Sequence, residues 1–459
     1  MLSNPTKIVI VAVFVTSLSS SNGQCGDSRC LQDVLSQMRP YAGVHNPGVN
    51  PGTLLGKVMC GYQGWFAAEG DGSGLGWVHF GHGKEFSPGH CTIDLWPDMS
   101  EMDPDEKYLT PFKQQDGRTT SVFSSYNQKT VLRHFRWMQE HGIDGVFLQR
   151  FGSSLRQPDA YHHRNVVTAN VQAGANRYGR TWAMMYDLSG LQTGEIETVV
   201  IEDWKRLVDK MKITEDRSYL HHYGKPVVAV WGVGFNDGRS YTLAECEKLV
   251  QFMKADVKYG GNTVMLGVPT HWRSLNRDSV KDEKLHRIIC EADIVSPWTV
   301  GRYTSQRQAR EHAESVLRPD IEWTKQKNLD YLPVIFPGFS WQNLQKAHGR
   351  DGKLGQIPRL KGQFLWSQAT AFKEAGAGMI YVAMFDEVDE GTAIFKCAND
   401  PPSGESKFLT FDGLPSDHYL WLTGRIGELL RGKPKATVEI PIRNVQPAAG
   451  GDGKPAPQP

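Results

Sequence analysis

The chain has almost no net charge: 51 Lys and Arg stand against 50 Asp and Glu over 459 residues. It has no basic surplus to grip nucleic acid and no block of like charge to serve as a partner-binding tail. Beyond Leu18 it has no apolar run long enough to cross a bilayer. The seven cysteines contain no CxxC pair, which leaves a zinc ribbon unsupported. No GxGxxG follows a predicted strand and there is no P-loop lysine motif, so the common nucleotide cradles are missing. Neither a cofactor nor a metal is expected. Nothing in the sequence sets an oligomeric state.

The first 24 residues have the pattern of a secretory signal. Lys7 precedes an apolar run, Ile8 to Leu18, and a small, polar stretch follows to Gly23. The expected product is secreted or periplasmic, with no membrane attachment after signal removal. Asn22-Gly23-Gln24 ahead of Cys25 does not fit a lipid-anchor box. An odd cysteine count leaves at least one free or bonded to another chain. Cys25 and Cys30 are close enough to close a small loop, so any disulfide near the N-terminus is expected to use one of them. Cys246 and Cys290 lie in apolar helical settings and are expected to be buried free thiols.

Residues 25–52 form a polar, Pro/Gly-containing lead-in. From 53 to 432 apolar strand-like runs alternate with amphipathic helical runs. Eight strands are predicted: Lys57–Tyr62, Gly145–Gln149, Thr181–Tyr186, Pro226–Trp231, Thr263–Val268, Asp293–Pro297, Tyr331–Phe336 and Met379–Phe385. The first helix carries Ser125 and Gln128 at capping-box spacing and stops at Gly142. Alternating β and α units with near-continuous apolar strands imply a parallel sheet buried on both faces. Eight such units closing on themselves give a single α/β (β/α)8 TIM barrel, with a doubly wound open sheet as the alternative. A long Gly-rich excursion, Ala67 to Phe123, follows the first strand, where a barrel keeps functional loops. Residues 433–459 are Pro- and Gly-rich and are expected to be disordered.

The last strand delivers Asp386, Glu387, Asp389 and Glu390 within five residues. Buried carboxylates are costly unless paired or used, so this is either a site or a solvated acidic loop. The other strand ends decide between them. In such barrels the site sits at the C-terminal strand ends. Those ends carry Tyr62, Gln63, Trp65, Gln149, Arg150, Asp187, Trp231, His271, Trp272, Trp298 and Trp341. Aromatic faces, hydrogen-bonding groups and carboxylates on one face suit a sugar. Tyr62, Trp65, Gln149, Arg150, Asp187, Trp231, His271, Trp272, Trp298, Trp341 and Asp386 are therefore candidate substrate contacts. Glu387 and Glu390 are the candidate catalytic pair. His162-His163 and His221-His222 are expected at the surface or in caps. The acidic run lacks the spacing of an EF-hand loop.

Four stretches carry a family resemblance: GYQGWF (Gly61–Phe66), FPGFSW (Phe336–Trp341), QFLWSQ (Gln363–Gln368) and MFDEVDEGT (Met384–Thr392). The chain resembles secreted bacterial proteins described as glycoside hydrolase family 71/99-like, over Thr53 to Arg431. The acidic motif looks like the strand-end motif of family 99 endo-α-mannosidases and family 71 α-1,3-glucanases. The resemblance implies hydrolysis of an α-linked mannan- or glucan-type polysaccharide or glycan. It further implies Glu390 as acid/base and Glu387 as base or activator of the substrate 2-hydroxyl, with retention favoured over inversion. Asp386 stands where family 99 has Asn, Val388 where it has an aromatic, and Asp389 is an added charge. A hydrolase of xylose- or arabinose-containing glycans and a non-catalytic carbohydrate-binding barrel are the alternatives.

Overall fold

The computed structural model describes residues 29–83, 85–433, 437 and 439–443. The signal reading, Cys25 and nearly all of the expected disordered tail lie outside the described residues.

Nine strands lie parallel in one sheet: β1 Val58–Tyr62, β2 Gly145–Phe151, β3 Thr181–Asp187, β4 Lys225–Trp231, β5 Thr263–Pro269, β6 Ile294–Trp298, β7 Asp330–Tyr331, β8 Val334–Ile335 and β9 Ile380–Val382. They are buried on both faces, as near-continuous Val, Ile, Leu and Met runs require. The longest register joins β2 to β3 from Gly145↔Thr181 to Phe151↔Asp187. β1 pairs with both β2 and β9, joining the first strand to the last.

The predicted seventh strand, Tyr331–Phe336, is broken. Asp330–Tyr331 pairs with β6, whereas Val334–Ile335 pairs with β9. Pro333 sits at the break; it has no N–H to give a ladder, though its carbonyl accepts from Tyr381 N at 2.9 Å. Leu332 N still donates to Val295 O at 2.9 Å, so the ring closes through this split segment. The fold is a TIM-barrel-like α/β fold, and the open doubly wound alternative is set aside.

The helices between strands include α1 Gln128–His141 and α2 Pro158–Tyr178. α1 is capped by Asn127, whose side chain accepts from Lys129 N, and not by Ser125. Gly142 ends it in the left-handed conformation, φ 71°, as a C-terminal glycine should. Three of the four paired histidines are not at the surface; His221 is half-exposed, with Nδ1 2.9 Å from Tyr219 O. His222 is buried and bridges Leu54 N and Asp330, and His162 and His163 are buried in α2. Cys246 is a buried free thiol, but Cys290 is exposed. Its helix, Lys284–Glu291, turns Leu285, Ile288 and Ile289 inward, and that leaves the next position facing water.

The excursion after β1 is packed rather than loose. Phe66, Phe80, Phe86, Trp96, Phe112 and Phe123 join ring to ring within 4.8–5.8 Å. It contains an antiparallel hairpin, Tyr108–Lys113 with Thr119–Val122. Asp94 then reaches back to the segment after β8, accepting from Ser340 Oγ, Gln342 N and Asn343 N at 2.5, 2.7 and 2.9 Å. The excursion thereby becomes a wall beside the acidic segment: Asp94 N and Leu95 N both donate to Val388 O.

Candidate active site

Side chains alternate across a strand, so only every second residue at a strand end enters the barrel. From β1 the inward residue is Gln63, not Tyr62. Tyr62 turns outward and its hydroxyl meets His134 Nδ1 of α1 at 2.9 Å. Gly61 is inward and must be glycine: a Cβ there would lie 2.1 Å from the Tyr381 hydroxyl. From β2, Gln149 is inward, donating to the Tyr381 hydroxyl at 2.9 Å. Arg150 is outward. It is buried, with both Nε and Nη2 on Asp203 at 2.6 and 2.7 Å. From β3, Asp187 is inward and buried, where desolvation raises its carboxyl to about 6. From β4 and β6, Trp231 and Trp298 face one another at 5.5 Å, edge to face, and Trp298 lies 6.4 Å from Tyr381.

Four candidate substrate contacts are therefore corrected to structural roles. Tyr62 and Arg150 bond into the helix layer. Trp272 is fully buried against Trp323 and His286. Asp386 is fully buried, and its two oxygens accept from Gln63 N and Gly64 N at 2.7 and 2.9 Å. It fixes the backbone from which Gln63 extends. His271 is held within its own loop by Asp278 and Arg277. Contacts link the others at the strand ends: Gln63 to Glu387, Gln149 and Trp298 to Tyr381, Trp231 to Trp298, and Trp65 through His79 to Asp389 in the Glu390 turn, with Asp187 inward on β3; Trp341 packs on Phe339 after β8. Gln63 Oε1, Trp65 Nε1, Trp231 Nε1, Trp298 Nε1 and Asp389 Oδ1 are buried with no hydrogen-bond partner within the protein. Such groups are costly unless something else satisfies them, and a hydroxyl-rich ligand would do so.

The acidic segment is one tight turn. Glu387 O accepts from Thr392 N and Ala393 N at 3.1 and 2.8 Å. Glu387 accepts two side-chain hydrogen bonds, from Gln63 Nε2 at 2.7 Å and Thr392 Oγ1 at 2.5 Å. Burial and the charge of Asp389 still push its carboxyl up to about 8. Glu390, partly exposed, is held well above the usual carboxylate range by burial and by repulsion from Glu387 and Asp389. Asp389 is raised to about 7, chiefly by burial, and its Oδ2 lies 3.0 Å from His79 Nδ1. His79 stacks on Trp65 at 3.7 Å and 5°.

The turn is held from behind by Arg359, whose Nη2 donates to Gly391 O and Ala393 O at 2.8 and 2.7 Å. Arg359 lies over Tyr419 and Phe411. His79, Asp389, Thr392, Asp94 and Arg359 were not among the predicted site residues. Inward parity, counted from Gln149 and Asp187, separates Gln63 from Tyr62. No local pattern announces Arg359 or Asp94. Gly391 has φ +59°, and a Cβ there would sit 2.8 Å from Ser340 Cβ and 3.1 Å from Ser340 O. Gly391→Ala is expected to destabilise the fold by about 1–3 kcal/mol and to misplace Glu390. Urea unfolding checks the first effect; unchanged stability would mean the turn relaxes freely. Among the described residues no group of three or more His, Cys, Asp and Glu side chains is arranged to hold a metal.

No known sequence family and no curated protein matches the chain. The fold does have solved counterparts. A glycoside hydrolase family 99 endo-α-mannosidase from Bacteroides thetaiotaomicron, in complex with bis-tris-propane, superposes with TM-score 0.59 at 15% identity. It spans 83% of this chain and 98% of that one. A second structure of an endo-α-mannosidase of that family and organism gives 0.58 at 15% identity, with the same coverage. At this identity the likeness concerns the fold.

Proposed function

We propose that the protein is a secreted glycoside hydrolase cutting an α-linked polysaccharide or glycan of mannan or glucan type. One observation carries the reading: the two motif carboxylates share one turn but not one environment. Glu387 accepts hydrogen bonds from Gln63 and Thr392, which favour its ionised form. Glu390 is raised by burial and by two like charges, so it keeps the proton. That asymmetry orders the two carboxyls: hydrogen-bonded Glu387, raised to about 8, is the one that gives up its proton, and once it has done so it acts as base or 2-hydroxyl activator while Glu390 donates to the leaving oxygen, so activity is expected to rise as pH approaches about 8. Trp231 and Trp298 offer faces for sugar rings, and Asp187 and Gln149 offer hydrogen bonds. The fold shared with endo-α-mannosidases and the motif resemblance support the same reading, with retention favoured.

The test is release of reducing ends from a panel of α-mannans, α-glucans and xylose- or arabinose-containing glycans. Binding without release by the unaltered protein would refute hydrolysis. Proton NMR of the first-formed anomer decides the stereochemistry, and an inverted product would make Glu387 the base that activates water. Secretion rests on the N-terminal pattern; N-terminal sequencing of exported protein checks it.

The crowded carboxylates also predict a pH dependence. Glu387, Asp389 and Asp386 are raised from 4.5, 3.8 and 3.8 to about 8, 7 and 7, chiefly by burial. The folded protein therefore binds more protons than the unfolded chain between about pH 4 and pH 8, and these groups make stability fall as pH rises through that window. Asp389→Asn removes one like charge. The melting temperature of the variant is expected to fall less between pH 5 and pH 8. Both limbs of its pH–rate profile are expected at lower pH. An unmoved profile would exclude Asp389 as the source of pressure on Glu387 and Glu390.

A further inference from the structure

A cavity of about 330 Å³ opens on the loop after β5 and is lined by His271, Arg273, Ser274, Asn276 and Arg277, among others. Its cations are not equivalent. Arg273 is neutralised by Asp320 at 2.7 Å. His271 Nδ1 faces Asp278 Oδ1 at 2.9 Å, which leaves Nε2 turned to Arg277 Nη1 at 3.2 Å. Asp278 also takes Arg302 at 3.0 Å and the backbone N–H groups of Thr270 and His271. Among the described residues no carboxylate lies within ion-pair distance of the exposed Arg277. Arg277 thus donates one N–H to His271 Nε2, which orients the guanidinium, and leaves its remaining N–H groups for an oxyanion.

The loop holds this arrangement at a conformational cost. Leu275 and Arg277 both have positive φ, 50° and 53°, without being glycine. Left-handed residues of this kind gather where a binding loop is over-determined by its surroundings. The cavity's lining is tied to the end of β6: Thr270 Oγ1 donates to Trp298 O at 2.5 Å, and the ring of Trp298 faces Trp231.

We infer that this cavity is a subsite for an oxyanion carried by the saccharide, a carboxylate or a sulfate ester, gripped by the free N–H groups of Arg277, which His271 orients. The inference deepens the glycan reading of the mouth and rests on it: the substrate would be an acidic glycan whose charged substituent lies beyond the aromatic pair. It assigns no catalytic role to the cavity.

The test uses the full chain, labelled in its histidine rings, with the His271 signal assigned through His271→Gln. Sodium sulfate is titrated first, followed by a uronic-acid-containing oligosaccharide, a sulfated oligosaccharide and a neutral one. Sulfate is expected to move the His271 signal saturably. Arg277→Asn keeps a residue tolerant of positive φ and removes the charge; it should weaken that binding about tenfold or more, with Arg277→Lys between the two. One acidic oligosaccharide should bind more tightly than both sulfate and the neutral sugar, and which of the two does so identifies the oxyanion. A non-saturating shift, or binding unchanged in Arg277→Asn, overturns the inference. So does equal binding of acidic and neutral saccharides. None of these readouts depends on cleavage, so failure to hydrolyse any glycan would refute the functional reading separately.

Discussion

Glu390→Gln is expected to lower kcat by about 10²–10⁴-fold on any polysaccharide the protein cleaves, while leaving the fold intact. The amide has the shape of the acid but cannot deliver the proton to the leaving oxygen. Glu390 is the partly exposed member of the cluster, and its neighbours Glu387 and Asp389 repel its charge. Because Glu390 keeps its proton, the amide leaves the charge unchanged, and the melting temperature should hold. That combination, lost turnover with kept stability, is what separates a catalytic acid from a structural carboxylate. Glu387→Gln is expected to differ. Its side chain accepts from both Gln63 and Thr392, and an amide has only one accepting oxygen, so one donor is left unsatisfied. Turnover by Glu390→Gln near the unaltered rate would end the assignment of the acid.

Arg150→Met is expected to cost about 3–5 kcal/mol of folding stability. Arg150 and Asp203 are both about 1% exposed, and Tyr186 and Asn165 complete the network around them. Removing the cation leaves Asp203 charged in an apolar layer between β2 and the helices. Replacing both partners, Arg150→Met with Asp203→Leu, should recover much of the loss, because no charge is then left alone. Urea unfolding of the two single variants and the double variant measures this. A sugar-binding Arg150 would behave otherwise, with weaker substrate binding at unchanged stability; that result would overturn the structural role.

The contrast between these two residues shows how far local sequence reaches. The acidic run after a buried strand was legible because four carboxylates in such a place demand an explanation. The repeating β and α units were legible because apolar periodicity reports burial directly. The same reasoning placed Arg150 beside Gln149 and Tyr62 beside Gln63 at the mouth, and could not tell which of each pair turns inward. A strand end sends neighbours to opposite faces, and parity is anchored only once the barrel closes with a particular register. Trp272 failed for a related reason: a large aromatic after a strand serves a core as readily as a sugar.

By itself, then, the sequence determined the strand and helix order, the parallel barrel and the position of the carboxylate turn. These follow from short-range periodicity and from the cost of burying charge. Tertiary structure alone decided which carboxylate is hydrogen-bonded and which is crowded by like charges. It brought Gln63 to Glu387, His79 to Asp389 and Arg359 behind Gly391. It also split the seventh strand at Pro333 and turned the Gly-rich excursion into a packed wall through Asp94. Each of these joins residues distant in the chain, and no local pattern encodes such a contact, because its distance is set by barrel closure and loop packing together.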